Sequence, residues 1–123
     1  MPKRLRPAVI AAILTLVSSV ALAQERSPAQ RQTLTDLAYV LGQSHALRQA
    51  CAGQTDQFWR DRMFKLLQTE APDPAFDRRL KQAFNTGYAG AQAAFPACDA
   101  QTRREEERTA AHGRTLVESL AQP

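Results

Sequence analysis

The sequence predicts a small all-α domain of four helices, held by one intrachain disulfide. Three observations favour this fold class. Helix-start signals recur along the chain, apolar residues repeat at helical spacing, and two cysteines follow a segment that resembles an export signal. No segment alternates apolar and polar residues with the period of two that is typical of a half-buried strand.

The start of the chain has the pattern of a signal peptide. Lys3, Arg4 and Arg6 form a basic start, residues 8–23 carry no charge, and Ala21-Leu22-Ala23 supplies the small residues of a cleavage site. We therefore expect residues 1–23 to be removed and residues 24–123 to form a single α-helical domain in the periplasm. An uncleaved membrane anchor is the alternative, although the apolar run is shorter than the ~20 residues that span a bilayer.

The basic balance of the chain comes mostly from this signal. Three of the 16 basic residues precede residue 24 and none of the 12 acidic residues do, so the mature domain has a net charge close to +1. A charge this small argues against nucleic acid as a partner. Nothing after residue 24 is apolar enough to predict a membrane span in the mature chain.

Cys51 and Cys98 both lie in the mature part of the chain. Exported proteins meet an oxidising compartment, so an even number of cysteines predicts a disulfide, and two cysteines allow only one intrachain pairing. For the loop that a bond between Cys51 and Cys98 would close, the chain-entropy model gives about 4 kcal/mol of stability. A redox or metal-binding pair is the alternative, but the sequence has no CxxC and no histidine at ligand spacing from either cysteine, so we expect no metal site or cofactor.

The first two helices have recognisable ends. Ser27-Pro28-Ala29-Gln30 is a capping-box pattern with proline at the first helical position, so a helix should run from here to about Cys51. Gly53 fits the C-terminal stop of that helix. Thr55 or Asp56 is then expected to cap a second helix that ends near Thr69.

The last two helices follow a proline-containing break at Pro72-Asp73-Pro74. Asp73 is expected to cap a third helix, which Pro74 opens and which runs to about Gln92. Thr102-Arg103-Arg104-Glu105 is a second capping-box pattern, and it predicts a fourth helix that ends near Leu120.

The third helix has the clearest buried face at 100° per residue. The residues that share this face are Phe76, Leu80, Ala83, Phe84, Gly87, Ala91 and Phe95. Gly87 costs about 1 kcal/mol relative to alanine in the middle of a helix. Its place on the apolar face therefore predicts that another helix comes close there.

Polar side chains interrupt the apolar faces of the other helices, and we define five of them as the predicted polar cluster. They are His45 and Arg48 on the first helix, Arg62 and Glu70 on the second, and Glu106 on the fourth. Because burial of an unpaired charge is costly, we expect each arginine to pair with a glutamate of this set. A structural ion-pair network is the favoured interpretation, with a ligand site and a catalytic site as alternatives. His112 falls on the opposite side of the fourth helix and should be exposed.

Sequence motifs for enzymes and cofactors are missing. The chain has no CxxCH for covalent haem, no HExxH zinc motif and no GxSxG nucleophile elbow. Ser44 and His45 are neighbours, but adjacent helical residues point about 100° apart and do not form a nucleophile–base pair. Noncovalent haem held by His45 and Met63 is a remaining possibility, although a methionine on an apolar face is usually part of the core.

The order of residues resembles a family of small secreted alphaproteobacterial proteins that is known only as a conserved domain of unknown function. The resemblance covers roughly residues 31–120. It is carried by Leu37-Ala38, Leu41-Gly42, His45, Leu47-Arg48, Cys51, Trp59-Arg60, Arg62-Met63, Leu66-Leu67, Glu70-Ala71-Pro72-Asp73, Leu80, Ala83-Phe84-Asn85, Gly87-Tyr88, Phe95 and Cys98. It supports export and the disulfide, and it implies no reaction, substrate or catalytic residue.

A non-enzymatic periplasmic protein that binds an unidentified envelope protein or small ligand is the function that the sequence favours. A helical domain of this length has a small core and little room for an enclosed active site. A small-ligand or haem carrier and an acid-stress holdase are the alternatives.

Overall fold

The computed structural model describes residues 3–4 and 25–122. Four helices follow one another in this part of the chain: α1 spans Pro28–Ala52, α2 Phe58–Glu70, α3 Pro74–Ala94 and α4 Ala100–Leu120. No strand occurs among the described residues, so the predicted four-helix all-α fold is confirmed. The predicted signal peptide and its cleavage site lie outside the described residues, apart from Lys3 and Arg4.

Two of the predicted helix starts are confirmed by their hydrogen bonds. The Gln30 amide donates to the Ser27 hydroxyl at 3.1 Å, and the Ser27 amide donates to the Gln30 side chain at 2.9 Å, which completes the capping box of α1. At α3, the Phe76 amide donates to the Asp73 carboxylate at 2.9 Å, and Pro74 follows as the first helical residue.

The predicted caps of α2 and α4 are wrong. Gln57 precedes α2 and makes no side-chain cap. Asp56 lies one residue too early for an N-cap and accepts from the Phe58 amide at 3.2 Å. At α4 the cap is Asp99, which accepts from the Thr102 amide at 2.9 Å. Thr102 is buried in the first turn, where its hydroxyl donates to the Ala97 carbonyl at 2.6 Å. This residue therefore holds the preceding loop and is not the N-cap.

Helix α1 lies at the centre of the fold and packs against each of the other three helices. Its buried residues are Leu34, Leu37, Ala38, Val40, Leu41, Gly42, Ser44, His45, Ala46 and Leu47. Between residues 37 and 47 these positions point in nearly every direction around the helix axis. The helix is therefore surrounded over this stretch, rather than packed through a single face.

The predicted face of α3 is confirmed and lies against α1. Phe76, Leu80, Phe84, Gly87 and Ala91 are buried, and Ala83 and Phe95 are half-buried at the edges of the same face. Leu34, Leu37, Ala38 and Leu41 of α1 contribute to the same core. This contact forms the main hydrophobic core of the described domain.

Two glycines allow the backbones of α1 and α3 to meet without side chains between them. A Cβ atom on Gly87 would overlap the backbone carbonyl of Tyr39 on α1. A Cβ atom on Gly42 would likewise overlap the backbone carbonyl of Phe84 on α3. The close approach that Gly87 predicts is therefore confirmed, and Gly42 is its counterpart on α1.

The predicted disulfide is confirmed. Cys51 in the last turn of α1 is bonded to Cys98, which lies in the segment between α3 and α4, and the two Cα atoms are 4.8 Å apart. The bond therefore fixes the end of the central helix to the connection between the last two helices. Both cysteines lie on the surface, so the bond adds a covalent restraint outside the apolar core.

We predict that Gly87→Ala destabilises the protein by about 3 kcal/mol, since the new methyl group meets backbone that cannot rotate away. Gly90→Ala is the matched control, because its Cβ would meet only the Tyr39 hydroxyl at 4.0 Å. Alanine there should stabilise the helix by up to about 1 kcal/mol. Urea unfolding of both variants with the disulfide intact measures the difference, and equal stabilities would contradict the close crossing.

Candidate functional site

The residues of the predicted polar cluster do not converge on one site. Arg48 lies in the penultimate turn of α1, and its Nε donates to both carboxylate oxygens of Asp56, at 2.9 and 3.0 Å. Its guanidinium carbon also lies 4.4 Å from the ring centre of Phe58. The expected pairing of Arg48 with Glu70 or Glu106 is therefore wrong. The apolar face of α1 ends at the α1–α2 loop, so a loop carboxylate is the nearest partner.

Glu70 lies at the opposite end of α2, where it binds Arg26 through two hydrogen bonds of 2.7 and 3.0 Å. Arg26 also donates to the Leu120 carbonyl at 3.3 Å. This arginine therefore joins the segment before α1 to the ends of α2 and α4. Helical periodicity gives no signal for Arg26, because this residue precedes the first helix and has no place on a periodic face.

The remaining charged residues of the predicted cluster have no carboxylate–arginine contact with one another. Arg62 is exposed, and its guanidinium carbon lies 3.5 Å from the ring centre of Phe58. Glu106 is half-buried on α4, and neither residue forms an ion pair with any residue that the structure describes. His112 is exposed, as predicted.

An apolar channel, the α2–α4 groove, runs along one side of α1. It encloses about 530 Å³ and exists because α2 and α4 both pack against α1 and leave a space between them. Leu37, Val40, Leu41 and Ser44 of α1 form its floor. Its walls are Trp59, Arg62, Lys65, Leu66 and Thr69 of α2 and Thr109, Ala110, Gly113, Arg114, Val117 and Glu118 of α4.

A second concave surface, the His45 cavity, lies between α1, α2 and α3 and has a volume of about 590 Å³. His45 lines it although only 5% of this residue is exposed. The imidazole ring packs 5.7 Å from the Phe84 ring and 5.1 Å from the Tyr88 ring, centre to centre. The Tyr88 hydroxyl donates to the Gln49 side chain at 2.6 Å, which fixes both residues at the cavity wall.

The His45 side chain is incompletely satisfied. Its Nδ1 atom is buried and has no hydrogen-bond partner among the described residues. Burial lowers the pKa of His45 below its ordinary value of 6.5, and the nearby positive charge of Arg60 lowers it further, against smaller opposing effects of Asp56 and Asp61. The imidazole is therefore neutral at neutral pH, and one polar atom in the core is left without a partner.

We predict that the protein loses stability through His45 as the pH falls from 8 to 5. The unfolded chain takes up a proton at its ordinary pKa while the folded chain resists it, so stability rises with pH between the lowered pKa and 6.5. Backbone amides of Phe76 and Thr102 lower the pKa values of Asp73 and Asp99 below 3.8. The stability that these two carboxylates contribute is therefore lost at lower pH than the contribution of His45.

Urea unfolding at pH 8 and pH 5 measures this contribution. His45→Phe keeps an aromatic ring at this position and removes the titrating nitrogens, so its stability should fall less over this range than that of the unchanged protein. His112→Asn, at an exposed position, serves as the control and should retain the full loss. An undiminished loss in His45→Phe would contradict the assignment.

Two features are absent from the part of the chain that the structure describes. Among these residues no group of three or more histidine, cysteine, aspartate or glutamate side chains is placed to hold a metal ion. None of the four helices is long and apolar enough to cross a membrane.

Comparison with known proteins identifies a family. A family model described as "Protein of unknown function (DUF2385)" matches residues 29–123. No curated protein and no solved structure matches the chain. The match agrees with the resemblance to a conserved domain of unknown function, whereas secretion and an alphaproteobacterial origin stay predictions.

Proposed function

Since the chain belongs to DUF2385, a family of unknown function, we propose from its geometry that it is a non-enzymatic binding protein of the periplasm. Its partner is an envelope protein that inserts an amphipathic, acidic helix into the α2–α4 groove. The observation that carries this proposal is the groove itself, a helix-flanked apolar channel on the surface of a small domain.

The shape and lining of the groove favour a helix as its occupant. Protein grooves between helices commonly bind the apolar face of an amphipathic helix. Three of the four floor residues are apolar, and Val117 on the α4 wall is 52% exposed although it is a large apolar residue. A helix lying between α2 and α4 would cover Val117.

The charges at the groove favour an acidic partner. Among the described residues, Arg62, Lys65 and Arg114 line it, against one acidic residue, Glu118. Carboxylates on the flanks of the inserted helix would meet these cations at the rim, where electrostatic complementarity contributes mostly to orientation and to the association rate.

Export supports the location of this partner. The proposed signal peptide at residues 1–23 directs the chain out of the cytoplasm, and the Cys51–Cys98 disulfide fits the oxidising compartment beyond it.

Binding is a better account of these surfaces than catalysis. Ser44 lines the floor of the α2–α4 groove, whereas the adjacent His45 lines the cavity on the other side of α2. The hydroxyl and the imidazole therefore serve different surfaces, which disfavours a nucleophile–base pair.

Site-specific photo-cross-linking tests the proposal. We predict that p-benzoylphenylalanine at position 117 cross-links to one envelope protein in cells of the source organism, and that the same residue at exposed position 112 of α4 does not. The attachment site on the partner should map to an amphipathic helix with acidic flanks, and a synthetic peptide of that segment should bind the purified protein.

Charge reversal then tests how the peptide is held. Arg114→Glu should weaken peptide binding roughly tenfold at low salt, and the matched change Arg104→Glu, at an exposed position outside the groove on the same helix, should not. Equal effects of the two variants, a cross-linked segment that is not helical, or a peptide that fails to bind would overturn the proposed function.

A further inference from the structure

We propose that the His45 cavity is a binding site for a small organic monocarboxylate with an apolar body. This site is separate from the α2–α4 groove and does not depend on the proposed protein partner. The cavity volume of about 590 Å³ is within the range of small-molecule sites, which is roughly 300–1,000 Å³.

The inner part of the cavity is built for the apolar body of such a ligand. Met63 and Leu67 of α2 and Phe84 of α3 line it, and so does Phe64, which is 49% exposed. An exposed phenylalanine beside a concave apolar surface gives a ligand further area to cover. The ligand would therefore gain most of its binding free energy from contact with these side chains.

The positively charged side chains of the cavity favour a negatively charged ligand. Arg60 and Lys81 both line it, and no aspartate or glutamate does so among the residues described. Arg60 forms no ion pair with a carboxylate in the described part of the chain. Its planar guanidinium offers the paired donors that suit a carboxylate, and it is free to present them to a ligand.

The amount of free charge favours one negative charge over two. Lys81 is already paired with Asp77, at 2.8 Å between Nζ and Oδ2. Among the described residues that line the cavity, Arg60 is therefore the one whose charge is not compensated by an ion pair. A monocarboxylate matches this charge, whereas a phosphate dianion would need more donors than the cavity presents.

His45 gives the cavity a polar side chain whose hydrogen bonding is incomplete. Its ring lines the cavity, is 95% buried and leaves Nδ1 without a hydrogen-bond partner among the described residues. Burial of an unpartnered polar atom is costly, so a hydrogen bond between the imidazole and the ligand would gain free energy. A carboxylate near the ring would also favour its protonated form.

Proton NMR of the two histidines tests the site directly, with octanoate as the probe and the protein in its disulfide-bonded form. Octanoate should shift the His45 Cε1–H resonance in a saturable manner and leave that of the exposed His112 in place. It should also raise the pKa of His45. The neutral analogue 1-octanol should bind roughly tenfold or more weakly.

Two arginine variants separate recognition of the carboxylate from general apolar binding. Arg60→Gln should weaken octanoate binding roughly tenfold, and Arg79→Gln, at an exposed position on α3 outside the cavity, should leave it unchanged. Both positions are exposed, so neither change should unfold the domain.

Three results would overturn the inference. The first is the absence of a saturable shift at His45, the second is 1-octanol binding as tightly as octanoate, and the third is equal affinities in the two arginine variants. None of these results bears on the α2–α4 groove, so failure here and failure of the proposed function are distinguishable.

Discussion

The direct contact between the backbones of α1 and α3 is the constraint on which the rest of the structure depends. Gly42 lies against the backbone of Phe84, and Gly87 lies against the backbone of Tyr39, so no side chain separates the two helices. This crossing buries one side of α1 and leaves its other sides to α2 and α4. Both concave surfaces of the domain follow from that arrangement.

Helix α2 is the wall that the two surfaces share. It has only one buried residue, Met63, and it packs mainly against α1. Trp59 and Leu66 face the α2–α4 groove, while Met63 and Leu67 face the His45 cavity. Its ends are held by charged side chains: Asp56 beside its start binds Arg48, and Glu70 in its last turn binds Arg26. These ion pairs therefore position a wall of both proposed sites.

The sequence predicts the elements and the core of this fold well, because the signals involved are local. Ser27, Asp73 and the face of α3 that contains Leu80 and Phe84 all depend on spacing within a few residues. The cysteine pairing can be predicted from the number of cysteines and from the oxidising compartment that an export signal implies. The cap of α4 is harder to predict from the sequence. Thr102 fits a capping-box pattern, but its hydroxyl donates to the Ala97 carbonyl instead.

The polar residues are where sequence reasoning fails. Periodicity places Arg48 and Glu70 on inward faces, but it says nothing of the loop residue Asp56 or of Arg26, and these are their partners. His45 is predicted as an inward polar residue, yet its missing partner and its cavity arise from how α2 and α3 pack around it. Side chains outside the helices thus determine which ion pairs the polar residues on the helical faces form.

Native-state amide hydrogen exchange tests this account of the fold most directly, because it measures the opening of each helix separately. If the α1–α3 crossing is the constraint that holds the domain, amides of residues 37–47 and 80–91 should exchange slowest, only through global unfolding. Amides of α2 should exchange through a smaller, local opening. Amides of α2 that are protected as strongly as those of α1, or an α1 that opens together with α2, would contradict it.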